Sequence, residues 1–107
     1  MKEKMQMVAF EMISKVGMAK SNYIMAIEEA KQGKYDEAAA LIKEGQKWHA
    51  EASHAHLDLV QAEAKGEDLP FSLILMHAED QMLSNETIKI LAETTIDLYK
   101  EIDSLKS

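Results

Sequence analysis

Apolar positions in the first third of the chain recur at alternating intervals of three and four: Met5, Ala9, Met12, Val16, Ala19, Tyr23, Ile27 and Ala30. That spacing lines them along one side of an α-helix and predicts helix over about residues 4–31. Between Tyr35 and Lys65 the chain is rich in Ala, Leu, Glu and Lys. These residues lose little side-chain freedom in a helix, so a second helix is predicted over about 35–65. Polar joints carrying a glycine, KQGKYD with Gly33 and AKGEDLP with Gly66, break the pattern. A third helix is predicted over about 70–105, opening at Asp68-Leu69-Pro70, because a first-turn amide has no intrahelical acceptor and proline gives up nothing there. Helices of this length span roughly 45–50 Å, and short joints make sequential neighbours antiparallel. The expected architecture is all-α, an antiparallel up-down-up three-helix bundle forming one domain over residues 1–107, with no internal repeat or low-complexity tract.

The third segment is more than a two-sided helix. Turning about 100° per residue from His77, Leu73, Ser84, Ile88, Leu91, Thr95, Leu98, Tyr99 and Ile102 fall within about 60° of it, and Glu86, Lys89, Glu93, Asp97 and Lys100 fall on the far side. The stretch FSLILMHAEDQML is also apolar opposite His77, through Leu75, Met82 and Leu83. A helix apolar around most of its circumference must be covered on more than one side. Two companions in one bundle cannot do that along its whole length, so a homo-oligomer packed through this half is expected.

With 107 residues, 47% hydrophobic and 29% charged, the chain has material for one core and a solvated exterior. The absence of cysteine excludes disulfides, thiolate metal sites and a cysteine nucleophile, and fits a reducing compartment; a cytoplasmic protein is expected. No run approaches the ~18 apolar residues of a membrane span, so neither secretion nor membrane insertion is expected. A net charge of −7 repels phosphate backbones and the 12 Lys and Arg residues are dispersed, which argues against a nucleic-acid partner.

Within the apolar start of the third helix the polar exceptions are His77, Glu79, Asp80 and Gln81. Asp80 at i+3 and Gln81 at i+4 lie on the histidine's side, whereas Glu79 at i+2 points away from it. Neutral imidazole exposes a nitrogen lone pair near pH 7, and the P–N bond it forms is labile enough to pass a phosphoryl group onward. Phosphoryl transfer asks chiefly for positioning and for donors to the equatorial oxygens, which the Gln81 amide can offer from one turn along. On periodicity alone the blander alternative stands beside this one: a lone histidine on an apolar helix face is more often a buried core residue. An aspartate in the early turns of a helix is favoured by the macrodipole whatever its function.

The run His77-Ala78-Glu79-Asp80-Gln81-Met82-Leu83 resembles the His-Ala-Gln-Asp-His-Leu-Met signature of the lactose/cellobiose enzyme IIA family of the sugar phosphotransferase system. Val60-Gln61-Ala62-Glu63-Ala64-Lys65-Gly66-Glu67 is similar to that family's Leu-Ile-Gln-x-Glu-Ala-x-Gly-Glu segment, and Gly17-Met18-Ala19-Lys20-Ser21 to its Ala-Gly-x-Ala-Arg-Ser segment. The three blocks occur in order and span nearly the whole chain. The resemblance implies a homotrimer of three-helix protomers, in which His77 accepts phosphate from the phosphohistidine of HPr and donates it to the cysteine of a IIB component. The sugar itself would be recognised by a membrane IIC component. The resemblance further implies that Asp80 meets a divalent cation, Mg2+, on the trimer axis, where a hard cation with oxygen ligands relieves the repulsion of three converging carboxylates. Two positions depart from the family pattern: Glu79 stands for its Gln and Gln81 for its second His. A Glu79 reaching a neighbouring protomer's His77 would favour the protonated ring, repel an incoming phosphoryl group and slow transfer.

Other constellations point to packing or solvent. His54 and His56 are about 200° apart on a helix and cannot chelate together, and His49 and His56, two turns apart, are beyond the reach of one ion from a single helix; the three read as surface or rim histidines. Trp48 reads as a packing residue. Most of the eight methionines fill the core, while Met7, Met18 and Met25 fall off the first stripe and are candidates for contact with another chain. Lys20 reads as solvated. The rival to a phosphocarrier is a non-catalytic helical interaction module, and exposure separates the two. A carrier needs a ring nitrogen of His77 open to solvent, whereas a structural histidine has both nitrogens engaged.

Overall fold

The structure, a computed structural model, describes residues 2–106 and consists of three helices, α1 (Lys2–Lys31), α2 (Tyr35–Ala64) and α3 (Leu73–Lys106). They form an antiparallel rod of 60 × 19 × 17 Å. Its radius of gyration, 17.1 Å, exceeds the ~13 Å of a globular chain of this size, because every helix runs the length of the bundle.

Both joints close in the same way. Among the described residues Gly33 and Gly66 have positive φ, at 81° and 93°, a conformation that costs an L side chain and not glycine. In each joint the amide after the glycine reaches back to a carbonyl five residues earlier: Lys34 N–H to Glu29 O at 2.9 Å, and Glu67 N–H to Ala62 O at 3.2 Å. These bonds satisfy end carbonyls that the helix leaves open. The third helix begins later than the proline implied. Pro70 lies outside it, and Ser72 is the cap, its Oγ accepting the Leu75 N–H at 3.2 Å. A hydroxyl acceptor serves an orphan amide directly, which decides the start more firmly than proline's mere tolerance of the first turn.

The α1 stripe is buried as its spacing requires, with Met5, Ala9, Met12, Val16, Ala19, Tyr23 and Ala30 inside, joined by Val8 and Ala26; Ile27 is half-buried against them. Two clusters form the core. Around Tyr23 gather Ala19, Ala26, Ala38, Ile42, Ala92 and Ile96, with Trp48 packed against them. Around Met5 and Met12 gather Val8, Ala9, Ala55, Leu59 and Ala78. The Tyr23 ring fills the notch at Gly45, where a Cβ would stand 2.4 Å from its Cε1, so glycine is required there for space rather than for backbone freedom.

Helix α1 packs along both companions, while α2 and α3 meet mainly through a polar seam. His49 Nε2 faces Glu86 Oε1 at 4.0 Å, Ser53 Oγ meets Met82 Sδ at 3.8 Å, and His56 Nε2 lies 2.7 Å from Glu79 Oε2. Each step up α2 is matched by an equal step down α3. At the far end the Tyr35 hydroxyl donates to Asp103, with the Lys100 ammonium 5.7 Å from the Tyr35 ring.

Candidate active site

His77 sits in the second turn of α3, downstream of the Ser72 cap, and its side chain is exposed. No hydrogen bond or ion pair engages either ring nitrogen among the described residues. Leu73 and Ile74, one turn earlier, make a shallow apolar shelf beside the ring. The first turns of α3 are held against α1 and α2 by Ala78, buried among Met5, Val8, Ala9 and Leu59, and by half-buried Ile74, Leu75 and Met82. An exposed, unpartnered imidazole on a packed helix has the chemistry to serve as a nucleophile, with a fixed base and a free tip.

The helix burial pattern explains the position. The buried residues of α3, Ala78, Asn85, Ala92 and Ile96, centre roughly 85° round the helix from His77, while the exposed apolar residues Leu73, Met76, Leu83, Ile90, Leu91, Leu98, Ile102 and Leu105 centre about 75° to its other side. His77 therefore stands on the border between the bundle and an outward apolar face. The apolar stripe found in the sequence around His77 belongs largely to that outward face, with Leu73 72% and Leu91 59% exposed. Of the residues expected opposite, Leu75 and Met82 turn into the bundle and Leu83 turns outward.

Asp80 lies in the middle of the outward face, exposed and without an ion pair. Within the described residues of one chain, no three His, Asp or Glu side chains gather to hold a metal. Gln81 is half-buried on the bundle side of His77, and its amide is engaged by no described residue. The Glu79 carboxylate goes the other way, across the seam to His56. Of the four sequence-derived site residues, His77, Asp80 and Gln81 share a neighbourhood and Glu79 turns from them toward α2.

The sequence reading missed the seam. His49 and His56 are cross-links between helices rather than rim residues. Asn85, only 1% exposed, places its Nδ2 3.2 Å from His49 Nδ1 and leaves Oδ1 without a partner. An amide only donates through its nitrogen, so His49 Nδ1 accepts and its Nε2 carries the proton toward Glu86. The heptad interval of Ala78, Asn85 and Ala92, together with that of His49 and His56 on the preceding helix, was the available signal. Met7, Met18 and Met25 are exposed as their off-stripe positions indicated, Lys20 is exposed, and Trp48 is a packing residue.

No described helix is long and apolar enough to cross a membrane. Residues 7–100 match the family described as PTS system, lactose/cellobiose-specific IIA subunit. The oligo-beta-mannoside-specific EIIA component of Bacillus subtilis (strain 168) is 38% identical over 95 residues, covering 89% of this chain and 86% of its own. The lactose-specific EIIA component of Staphylococcus aureus (strain N315) is 33% identical over 99 residues, covering 92% and 96%. Among solved structures, the cellobiose-specific enzyme IIA from Bacillus anthracis superimposes with a TM-score of 0.90 at 36% identity, covering 94% of this chain and 92% of that one.

Proposed function

The chain belongs to the lactose/cellobiose-specific IIA family and is thus a component of a sugar phosphotransferase system, and from that premise we propose that it carries a phosphoryl group on His77 during disaccharide uptake. A ring nitrogen of His77 attacks the phosphorus of phospho-HPr, the P–N bond to the donor breaks as the new P–N bond forms, and the group then passes to the cysteine thiolate of a IIB protein, the P–S bond forming as the His77 P–N bond breaks and its electron pair returns to the ring. The observation that supports this reading is the exposed imidazole with both nitrogens unengaged, since a structural histidine on a core face would have its ring hydrogen-bonded. The Gln81 amide, uncommitted one turn along, donates to a phosphoryl oxygen. The test is a mass spectrum of the chain incubated with enzyme I, HPr and phosphoenolpyruvate. The wild type gains about 80 Da, one phosphoryl group, and His77→Ala gains nothing; an unmodified wild type would end the reading.

The outward face of α3 supports a homotrimer as the working unit. Monomeric proteins rarely leave a continuous apolar stripe of this length uncovered. Asp80 in that stripe is a hard oxygen donor without a protein partner, and one chain alone supplies no complete ligand set. Its residue type and placement fit a shared Mg2+ held by the Asp80 carboxylates of several copies. The cation would supply charge neutralisation between the copies, and the phosphoryl chemistry stays with His77.

A further inference from the structure

A negative charge two residues from a phosphoryl-accepting histidine is a handicap, because a phosphoryl group approaches as an anion. Glu79 is such a charge, and the structure gives it a dedicated partner. Its Oε2 lies 2.7 Å from Nε2 of His56. A carboxylate only accepts, so the imidazole nitrogen donates, and in its protonated form the ring also cancels the charge. The bond crosses from α3 to α2, on the side of the helix away from His77. Both residues line a cleft of about 360 Å³ whose walls include Met5, Leu59 and Leu75, and whose other charged group is the carboxylate of Glu63. No lysine lines that cleft, so His56 is the group there able to hold or neutralise Glu79.

We propose that His56 is a positioning and charge-compensating residue for phosphoryl acceptance at His77: by tying the Glu79 carboxylate to α2 it keeps that charge off the approach to the neighbouring imidazole. This rests on the carrier reading for its biological use, though its chemistry can be tested without a protein donor. Glu79 has three rotatable bonds; released from His56 it has no other cation in reach within the cleft, and its charge acts on whatever approaches the same turn. Over about one Debye length of protein surface, one charge acting on an approaching phosphoryl anion changes a rate by about three- to tenfold.

The probes are two small reagents. Phosphoramidate donates a phosphoryl group to imidazole, the ring nitrogen bonding phosphorus as the P–N bond to ammonia breaks and ammonia leaves with its electron pair. Diethyl pyrocarbonate acylates the same nitrogen and is uncharged. Rates are read at His77 by peptide mass spectrometry under alkaline handling, for folded chains verified by circular dichroism. His56→Ala is expected to slow phosphoramidate about three- to tenfold and to leave diethyl pyrocarbonate within about twofold. Adding Glu79→Gln to that variant should restore the phosphoramidate rate to wild type or above, and His56→Lys, which places an ammonium donor opposite Glu79, should hold it there. Equal slowing of both reagents, an unchanged phosphoramidate rate in His56→Ala, or a double variant as slow as the single one would each overturn the proposal. The same chains are then offered phospho-HPr. If none accepts from it while the reagent pattern holds, the carrier reading fails and the role of His56 stands; normal acceptance without the reagent pattern does the reverse.

Discussion

Toward its own bundle α3 presents Ala78, Asn85, Ala92 and Ile96, whereas away from it stand Leu73, Met76, Leu83, Ile90, Leu91, Leu98, Ile102 and Leu105. Two of these four inner residues are alanine, so the inner face packs with little side-chain bulk. The outer face has the larger side chains and, in the single chain, nothing to bury them against; fully covering each would yield roughly 1.5–3 kcal/mol. The contrast separates a face packed in the bundle from an apolar face that the single chain leaves uncovered, with His77 on the line between them. Neither face alone explains why His77 is where it is.

Adjacent residues on opposite faces offer the sharpest way to break this comparison. Leu91→Glu is expected to leave the helical fold intact and reduce the molar mass measured by light scattering about threefold, from trimer to monomer. Ala92→Leu, one residue on, should instead overpack the bundle and destabilise it by about 1–3 kcal/mol in thermal melts. An unchanged mass for Leu91→Glu would mean that the outer face is not an interface. The next effect concerns the Asp80 carboxylate in that face. Removing divalent cations with a chelator should lower the association constant of the wild type, while Asp80→Asn, lacking the converging charges, should not respond; a wild type indifferent to chelation would remove the metal. The smallest effect lies at the far end of the rod, remote from both faces. The hydrogen bond to Asp103 first, then burial and the Asp103 charge, push the Tyr35 phenol up to about 12. A folded-state value above the unfolded one of 10.0 means the contribution is complete below pH ~10 and is lost as pH rises toward 12. The wild type should therefore lose more thermal stability over that interval than Tyr35→Phe, and equal losses would show that the bond contributes nothing.

The helices and their breaks were legible because they depend on local rules: the three-four spacing of α1 and the two glycines in polar joints each state their structure over a few residues. The start of α3 was misplaced by three residues because Pro70 marks where a helix is allowed, and Ser72 marks where its amides are satisfied. His77 and its signature were legible through resemblance; its exposure was not, since periodicity counts apolar neighbours without saying whether they turn toward the same chain or another. The His56–Glu79 bond was hidden for a different reason. It joins residues 23 positions apart, and its register is set by how α2 and α3 pack, which no single helix encodes.

The rod places its candidate site near one tip. About 29 residues of continuous helix separate His77 from Lys106, roughly 43 Å at 1.5 Å per residue. That span exceeds the diameter of a small globular partner, so a fluorophore or surface anchor attached beside Lys106 would leave the docking tip clear. The proposed donor and acceptor could then be tested for binding in turn to an immobilised, labelled chain.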